Sequence, residues 1–436
     1  MSAIIDELES NVRGYCRLFP ATFHEARGSI LTDIRGRKYI DFFCGAGSLN
    51  YGHNNPRAKA ALLDYIQVDG IQHSLDATTE AKVRFLDGFR RIILTPRQLD
   101  YRVQFTGPTG TNAVEAAIKL ARRVTGRSHV VAFTHGYHGH TLGALALTAN
   151  SYYHHQADAS RNNVTHLPFD GYLGDFDTAE ILATMLGDPS SGLPQPAAVI
   201  LETVQGEGGV NVARDVWLRR VADVCHQFGC LLIVDDIQVG NGRTCKYFSF
   251  EHAGIEPDIV CLSKSIGGGL PMSVVLMKQD LDVWEPGQHT GTFRGNNLAF
   301  VAANAVLSYW DEPEFETQIN YRGELVSSRL HQIASRYPSR LSVRGRGMIW
   351  GLDVGTGSRA SHVIRLAFEA GLMLESSGAD DEVLKVMPAL TIPVNELEEG
   401  LAILDDCVAT VMLQDPDVAA SIQPLRTNSH GAEVLA

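Results

Sequence analysis

The chain has 436 residues, 44% hydrophobic and 20% charged, a balance that fits a soluble globular protein with a sizeable buried core and excludes a disordered or fibrous one. A formal net charge of −13 argues against non-specific nucleic-acid binding, which rests on basic residues neutralising phosphates. The seven Cys are spread singly with no C-x-x-C pair, which indicates neither a zinc framework nor a disulfide scaffold and makes a reduced compartment the default. The first ten residues, Met1-Ser-Ala-Ile-Ile-Asp-Glu-Leu-Glu-Ser, have no basic segment and no apolar core, so they do not read as a signal peptide. No apolar run approaches the roughly 20 residues that span a bilayer. A cytoplasmic protein with no membrane partner and no nucleic-acid partner is expected.

In chain order, Ile30-Leu-Thr-Asp-Ile-Arg-Gly-Arg-Lys-Tyr-Ile-Asp-Phe-Phe reads as a hairpin around Arg35-Gly36-Arg37. From about residue 55, helical patterns alternate with short apolar strands: Val130–Phe133, Ala197–Leu201, Leu231–Val234, Ile259–Leu262 and Val274–Met277. Trp217–Phe228 is a helix between two of them. Strands alternating with helices imply an α/β fold, a mostly parallel sheet covered on both faces, with functional residues at the carboxyl ends of its strands. Glu202, Asp235 and Lys264 each fall within two residues of such an end. After about residue 310 longer helices surround a few strands, such as Leu341–Val343 and Met348–Asp353. The expected organisation is an N-terminal segment (1–60) that helps complete a smaller domain, a large domain (61–310), the C-terminal part of the small domain (311–420), and a frayed tail from 421 to 436.

Four segments carry the chemistry. Gly107-Pro-Thr-Gly110-Thr111-Asn112 opens an alanine-rich helix, where free N–H groups at Gly110, Thr111 and Asn112 would favour a phosphate. The same residues also fit a helix simply capped by Thr or Asn, and the segment has neither the Walker nor the Rossmann fingerprint. His135-Gly-Tyr137-His138-Gly139 follows a strand, so Tyr137 could lie on an aromatic ligand and His138 could line its pocket, unless both are ordinary loop residues. His135, His138 and His140 lack an acidic companion, so no metal site is expected. Asp235-Asp236-Ile-Gln238 closes a buried strand; alone it also fits a metal site or a helix cap.

Lys264 selects among these readings. It stands in Asp258-Ile-Val-Cys-Leu-Ser-Lys264-Ser-Ile-Gly-Gly-Gly-Leu-Pro271, directly after a buried strand and twenty-nine residues beyond Asp235. By itself, a Lys in a Ser-Lys-Ser loop is more often solvated than catalytic. An amine beside glycine-rich backbone, paired with a carboxylate at a strand end, is what pyridoxal phosphate requires: the Lys bonds the cofactor and the Asp keeps its pyridine nitrogen protonated. Gln238 could donate to the cofactor's phenolic oxygen. Cys44, Cys245 and Cys261 adjoin these motifs and read as small core residues.

Taken in order, the Gly-Thr turn, Gly-Tyr-His-Gly, Glu202-Thr-Val-Gln-Gly-Glu207, Asp235 with Gln238, and Ser-Lys264 resemble the class III pyridoxal-phosphate aminotransferases over about residues 20–410. The resemblance implies fold type I, with a mostly parallel seven-stranded sheet in the large domain and a smaller α+β domain built from both chain ends. It also implies a homodimer or higher oligomer with active sites at the interface. Its cofactor residues fall on Gly110, Thr111, Asn112, Tyr137, His138, Glu202, Asp235, Gln238 and Lys264, and on Thr292, which would reach the neighbouring subunit's cofactor phosphate. Gly45-Ala-Gly-Ser-Leu-Asn-Tyr-Gly-His-Asn-Asn-Pro56, Val234-Asp-Asp-Ile-Gln238 and Phe248-Ser-Phe-Glu-His-Ala-Gly are similar to the diaminobutyrate–2-oxoglutarate aminotransferases, which serve ectoine, siderophore or antibiotic biosynthesis. Ile266-Gly-Gly-Gly-Leu-Pro271 departs from the Gly-Tyr-Gly loop expected of the ectoine enzymes, which bears on the pathway more than on the reaction.

The resemblance implies exchange of an amine between L-glutamate/2-oxoglutarate and L-aspartate 4-semialdehyde/L-2,4-diaminobutyrate, with Lys264 moving the proton. Another ω-amine (ornithine or 4-aminobutyrate), or an intramolecular amine shift or racemisation, are the competing readings. A non-catalytic regulator would need a DNA-binding module that the sequence does not show. The family's Glu that pairs with a mobile Arg falls on Glu207, and the Arg position falls on Lys385, a departure that replaces a bidentate fork with a point charge. Lys385 also fits a solvated lysine at a strand end. Arg294, beside Thr292, is a further candidate for a substrate carboxylate.

Overall fold

Alternate residues of the apolar strands enter two different cores, because successive side chains of a strand point to opposite faces. Val131, Phe133, Val199, Leu201, Leu232, Val234, Val260 and Leu262 pack with Trp217, Leu218 and Val221 of the helix Asp215–Gln227 and with Phe85 and Phe89 of the helix Glu80–Phe89. Val130, Ala132, Ala198, Ile200, Ile233, Ile259 and Cys261 pack on the other side with the alanine face of the helix Gly110–Thr125. A sheet buried on both faces explains why these strands read as unbroken apolar runs. The computed structural model describes residues 3–154 and 161–414, and the expected tail from 421 lies outside the described residues.

The sheet has seven strands in the order Tyr101–Phe105, Val274–Lys278, Ile259–Leu262, Leu231–Asp235, Ala198–Leu201, Val130–Phe133, Val164–Leu167. Val274–Lys278 is antiparallel to both its neighbours, and the pairs from Ile259–Leu262 onward are parallel, so the sheet is mostly parallel as expected. Two strands, Tyr101–Phe105 and Val164–Leu167, were not foreseen. Both are edge strands, half-buried and mixed in polarity, so they lack the continuous apolar signal of the central ones.

The N-terminal hairpin forms with Ile30 opposite Ile40, and Lys38–Asp41 also pairs in parallel with Leu372–Met373. A second small sheet runs Ser342–Arg346, Ile349–Asp353, Val383–Val386, Glu375–Ser377. Its core joins Leu352, Leu384 and Val386 to Phe315, Ile319, Val326 and Leu330 of the helix Pro313–Ser335 and to Leu397, Leu401 and Leu404 of the helix Val394–Gln414.

Candidate active site

A cavity of about 540 Å³ opens at the carboxyl ends of the central strands and brings together Lys264, Asp235, Glu202, Tyr137, His138, Gln238, Gly110, Thr111 and Glu207. Most of the residues expected from sequence therefore converge on one space, of a size that suits a small-molecule cofactor and substrate.

Lys264 follows the strand Ile259–Leu262 in a left-handed backbone conformation, φ +53°, which a residue with a Cβ adopts only under constraint. The constraint is local. Ser265 Oγ donates to Gly47 O (2.9 Å) and accepts from Asn50 N (2.9 Å), fixing the chain beside the lysine to the loop 47–50. Gly268, at φ +61°, packs so closely on the helix Asn297–Leu307 that a Cβ would lie 2.7 Å from the carbonyl carbon of Ala302. Burial lowers the Lys264 pKa from its ordinary value, as does Lys385, while Glu207, Glu375 and Asp235 pull the other way.

Asp235 ends its strand with both carboxylate oxygens engaged: His138 Nδ1 is 2.8 Å from Oδ2, and Ile237 N donates to Oδ1 at 3.2 Å. His138 is buried, which disfavours its charged form, but the hydrogen bond and charge of Asp235 outweigh this and raise its pKa. The histidine is thus more than a pocket wall. Next to it, Glu202 accepts from Tyr137 N (2.8 Å) and Gly206 N (3.3 Å), and burial, with Asp235 adding to it, pushes its pKa up to about 8.

Gly110 and Thr111 line the cavity at a helix start, whereas Asn112 turns back, its Oδ1 accepting from Thr109 N (3.3 Å) and Thr109 Oγ1 (2.9 Å). Thr109 is the N-cap, and Asn112, the third helical residue, closes a capping box with it and does not line the cavity. Gln238 Nε2 donates to Ala46 O (3.1 Å) and Glu207 Oε1 (2.9 Å), and its buried Oε1 has no hydrogen-bond partner. A Cβ on Gly206 would lie 1.7 Å from that Oε1, so glycine there is what admits Gln238.

Lys385 is fully buried, which excludes the solvated reading. Its Nζ is 2.8 Å from Glu207 Oε1 and 3.0 Å from Glu375 Oε1, and the two carboxylates raise its pKa despite burial. Thr292 and Arg294 do not line this cavity. Thr292 O accepts from His73 Nε2 (2.8 Å) in an exposed loop, and Arg294 lies 3.9 Å from Asp76 beside a separate surface cleft. Among the side chains that escape the sequence reading, Tyr15, Tyr152 and Tyr153 line the cavity, Glu375 sits behind Lys385, and fully buried Arg243 donates to Asn50 Oδ1 (2.5 Å) and Met348 O (3.1 Å). A Tyr opening a one-turn helix near the N-terminus and an Arg in a Gly-rich turn carry no motif that would single them out.

The chain belongs to the class III aminotransferases, whose family model matches residues 13–408. It is similar to the diaminobutyrate–2-oxoglutarate transaminase of Bordetella parapertussis, 55% identical over 95% of this chain and 97% of that relative. The transaminase of the same description from Streptomyces anulatus is 55% identical over 93% of this chain and 97% of the relative. Among solved structures, the ornithine aminotransferase of Toxoplasma gondii matches with a TM-score of 0.82 at 26% identity over 94% of both chains. The family's cofactor is pyridoxal 5'-phosphate, and the cavity fits it: an amine on a constrained turn, a buried carboxylate held by a histidine, an orphaned amide oxygen, and free N–H groups at a helix start. Among the described residues, no helix is long and apolar enough to cross a membrane.

Proposed function

We propose that the enzyme exchanges an amino group between L-glutamate/2-oxoglutarate and L-aspartate 4-semialdehyde/L-2,4-diaminobutyrate. The observation that carries this reading is the 50–55% identity, along nearly the whole chain, to relatives named for that reaction. The cavity is compatible with it, offering one wall to a small amino acid bearing two kinds of charge.

Pyridoxal phosphate bound there would supply a carbonyl group for the amine exchange and an electron-withdrawing ring. Gly110, Thr111 and, from a neighbouring subunit, Thr292 would hold its phosphate; Tyr137 would lie against its ring; Gln238 would meet its phenolic oxygen. Asp235, braced by His138, keeps a proton at the ring nitrogen. Lys264 Nζ, with its pKa lowered by burial, takes the proton from the substrate carbon and returns it on the other side of the exchange. Glu207 and Lys385 line and back the wall that reads the rest of the substrate.

A homodimer is part of the proposal. Leu63, Ile66, Val68, Ile71 and Leu75 are exposed together along one stretch, and Phe293 is exposed beside Thr292, an apolar surface that a second copy would cover. The seven cysteines are all free thiols, which supports a cytoplasmic location. The test is product formation by the cofactor-loaded protein given 2-oxoglutarate and L-2,4-diaminobutyrate, ornithine or 4-aminobutyrate in separate reactions. Glutamate formed fastest with diaminobutyrate supports the reading; faster turnover with ornithine or 4-aminobutyrate moves the enzyme to that substrate, and turnover without any keto acid points to an isomerase.

A further inference from the structure

Strand register places Glu375 directly opposite Lys385 in the pair Glu375–Ser377/Val383–Val386. The ammonium of Lys385 therefore has a carboxylate from its own sheet at 3.0 Å and Glu207 from a separate loop at 2.8 Å. Exposure separates the three. The side chains of Lys385 and Glu375 are 0% and 3% exposed and do not line the cavity, whereas Glu207 is 21% exposed and does. One cation facing two carboxylates leaves one negative charge unbalanced, and Glu207 is the member through which the cavity meets it. Among the described residues, no arginine, and no lysine other than Lys264, lines the cavity.

We propose that Glu375 is a specificity-determining residue that acts through Lys385: by neutralising the lysine from outside the cavity, it leaves Glu207 a net negative wall that favours a substrate bearing a second ammonium over one bearing a second carboxylate. The inference rests on the diaminobutyrate reading, since diaminobutyrate carries an ammonium beyond the reacting amine and glutamate carries a carboxylate instead. Specificity of this kind is a difference of two affinities, and a buried charge shifts both in opposite senses. In support, the carboxyl of Glu207, although half-buried, is held near pKa 2 by Lys385, Lys264 and Gln238, so it is ionised at neutral pH. Glu375 is pushed up to about 7 by burial and by Glu207, so its charge is fully present only on the alkaline side.

The test compares wild type with Glu375→Gln as cofactor-loaded enzyme at pH 8.5, where wild-type Glu375 is ionised. Two quantities are read: the KM of the half-reaction with L-2,4-diaminobutyrate, and the dissociation constant of glutarate, a dicarboxylate that has no amine to react, by calorimetry. Loss of one charge a few ångströms behind the wall is expected to raise the first and lower the second, each by about tenfold. Glu375→Asp, which keeps the charge, should return both toward wild type. If Glu375→Gln does not fold, Glu375→Met, uncharged and of similar volume, is read the same way. Both quantities moving in the same direction, or neither moving, overturns the proposal, because a merely structural residue would loosen both ligands alike. Failure of the wild type to use diaminobutyrate would sink the substrate reading separately, and the glutarate arm would still decide the role of Glu375.

Discussion

His138 Nδ1 sits 2.8 Å from Asp235 Oδ2, both side chains almost completely buried at the carboxyl end of the central strand. The histidine orients the carboxylate that faces the cavity and shares its charge. Asp235→Asn should keep the shape but remove the charge that holds a proton on the ring nitrogen, slowing both half-reactions by about 10²–10³. His138→Asn leaves that charge in place and should cost less, about tenfold. Stopped-flow absorbance with glutamate measures both; equal losses in the two variants would show that the pair acts as a unit.

Asp236, one residue on, is buried on a different network, with Ser249 N and Oγ donating to its carboxylate. Burial raises its pKa from 3.8 to about 7, so the folded state binds a proton that the unfolded state releases. The stability this proton confers is present below pH 4 and declines as pH rises through 7. Asp236→Asn mimics the protonated acid, so its melting temperature relative to wild type should improve between about pH 4 and 7 and level off above that. A difference that is flat across that range would refute the assignment.

Lys385 lies between two carboxylates with no exposure to solvent. Removing it in Lys385→Ala strands buried charge and opens a void, and should cost about 3–5 kcal/mol in chemical denaturation. Lys385→Arg keeps the charge and should lose far less. A lysine that was merely solvated would give a loss near zero.

Thr292 is expected to serve the neighbouring subunit's cofactor. Thr292→Val should therefore weaken pyridoxal phosphate binding about tenfold, the worth of a hydrogen bond to a charged group, without altering the proposed dimer, which light scattering would measure. Unchanged cofactor affinity would remove Thr292 from the site.

Lys264, Asp235 and Glu202 were legible because a doubly buried parallel sheet writes itself as apolar runs, and chemistry gathers where those runs stop. The edge strands Tyr101–Phe105 and Val164–Leu167 were not, since half their residues meet solvent. Glu375 was illegible for another reason: its partners are chosen by register with Lys385 and by a loop 168 positions away in the chain, and neither leaves a local pattern. Arg294, like Thr292 two residues before it, lies outside this chain's own cavity, a placement that its position near the motifs does not reveal. Asn112, read as a phosphate donor through its N–H, gives that N–H to Thr109 O and its side chain to a capping box.

The most direct measurement is visible absorbance of the cofactor-loaded enzyme mixed with one amine at a time. A cofactor band that bleaches with glutamate and with L-2,4-diaminobutyrate, returns on adding 2-oxoglutarate, and is absent from Lys264→Ala is the expected result. A Lys264→Ala protein with the same band and the same half-reactions would contradict the assignment of that lysine, and with it the mechanism built on the cavity.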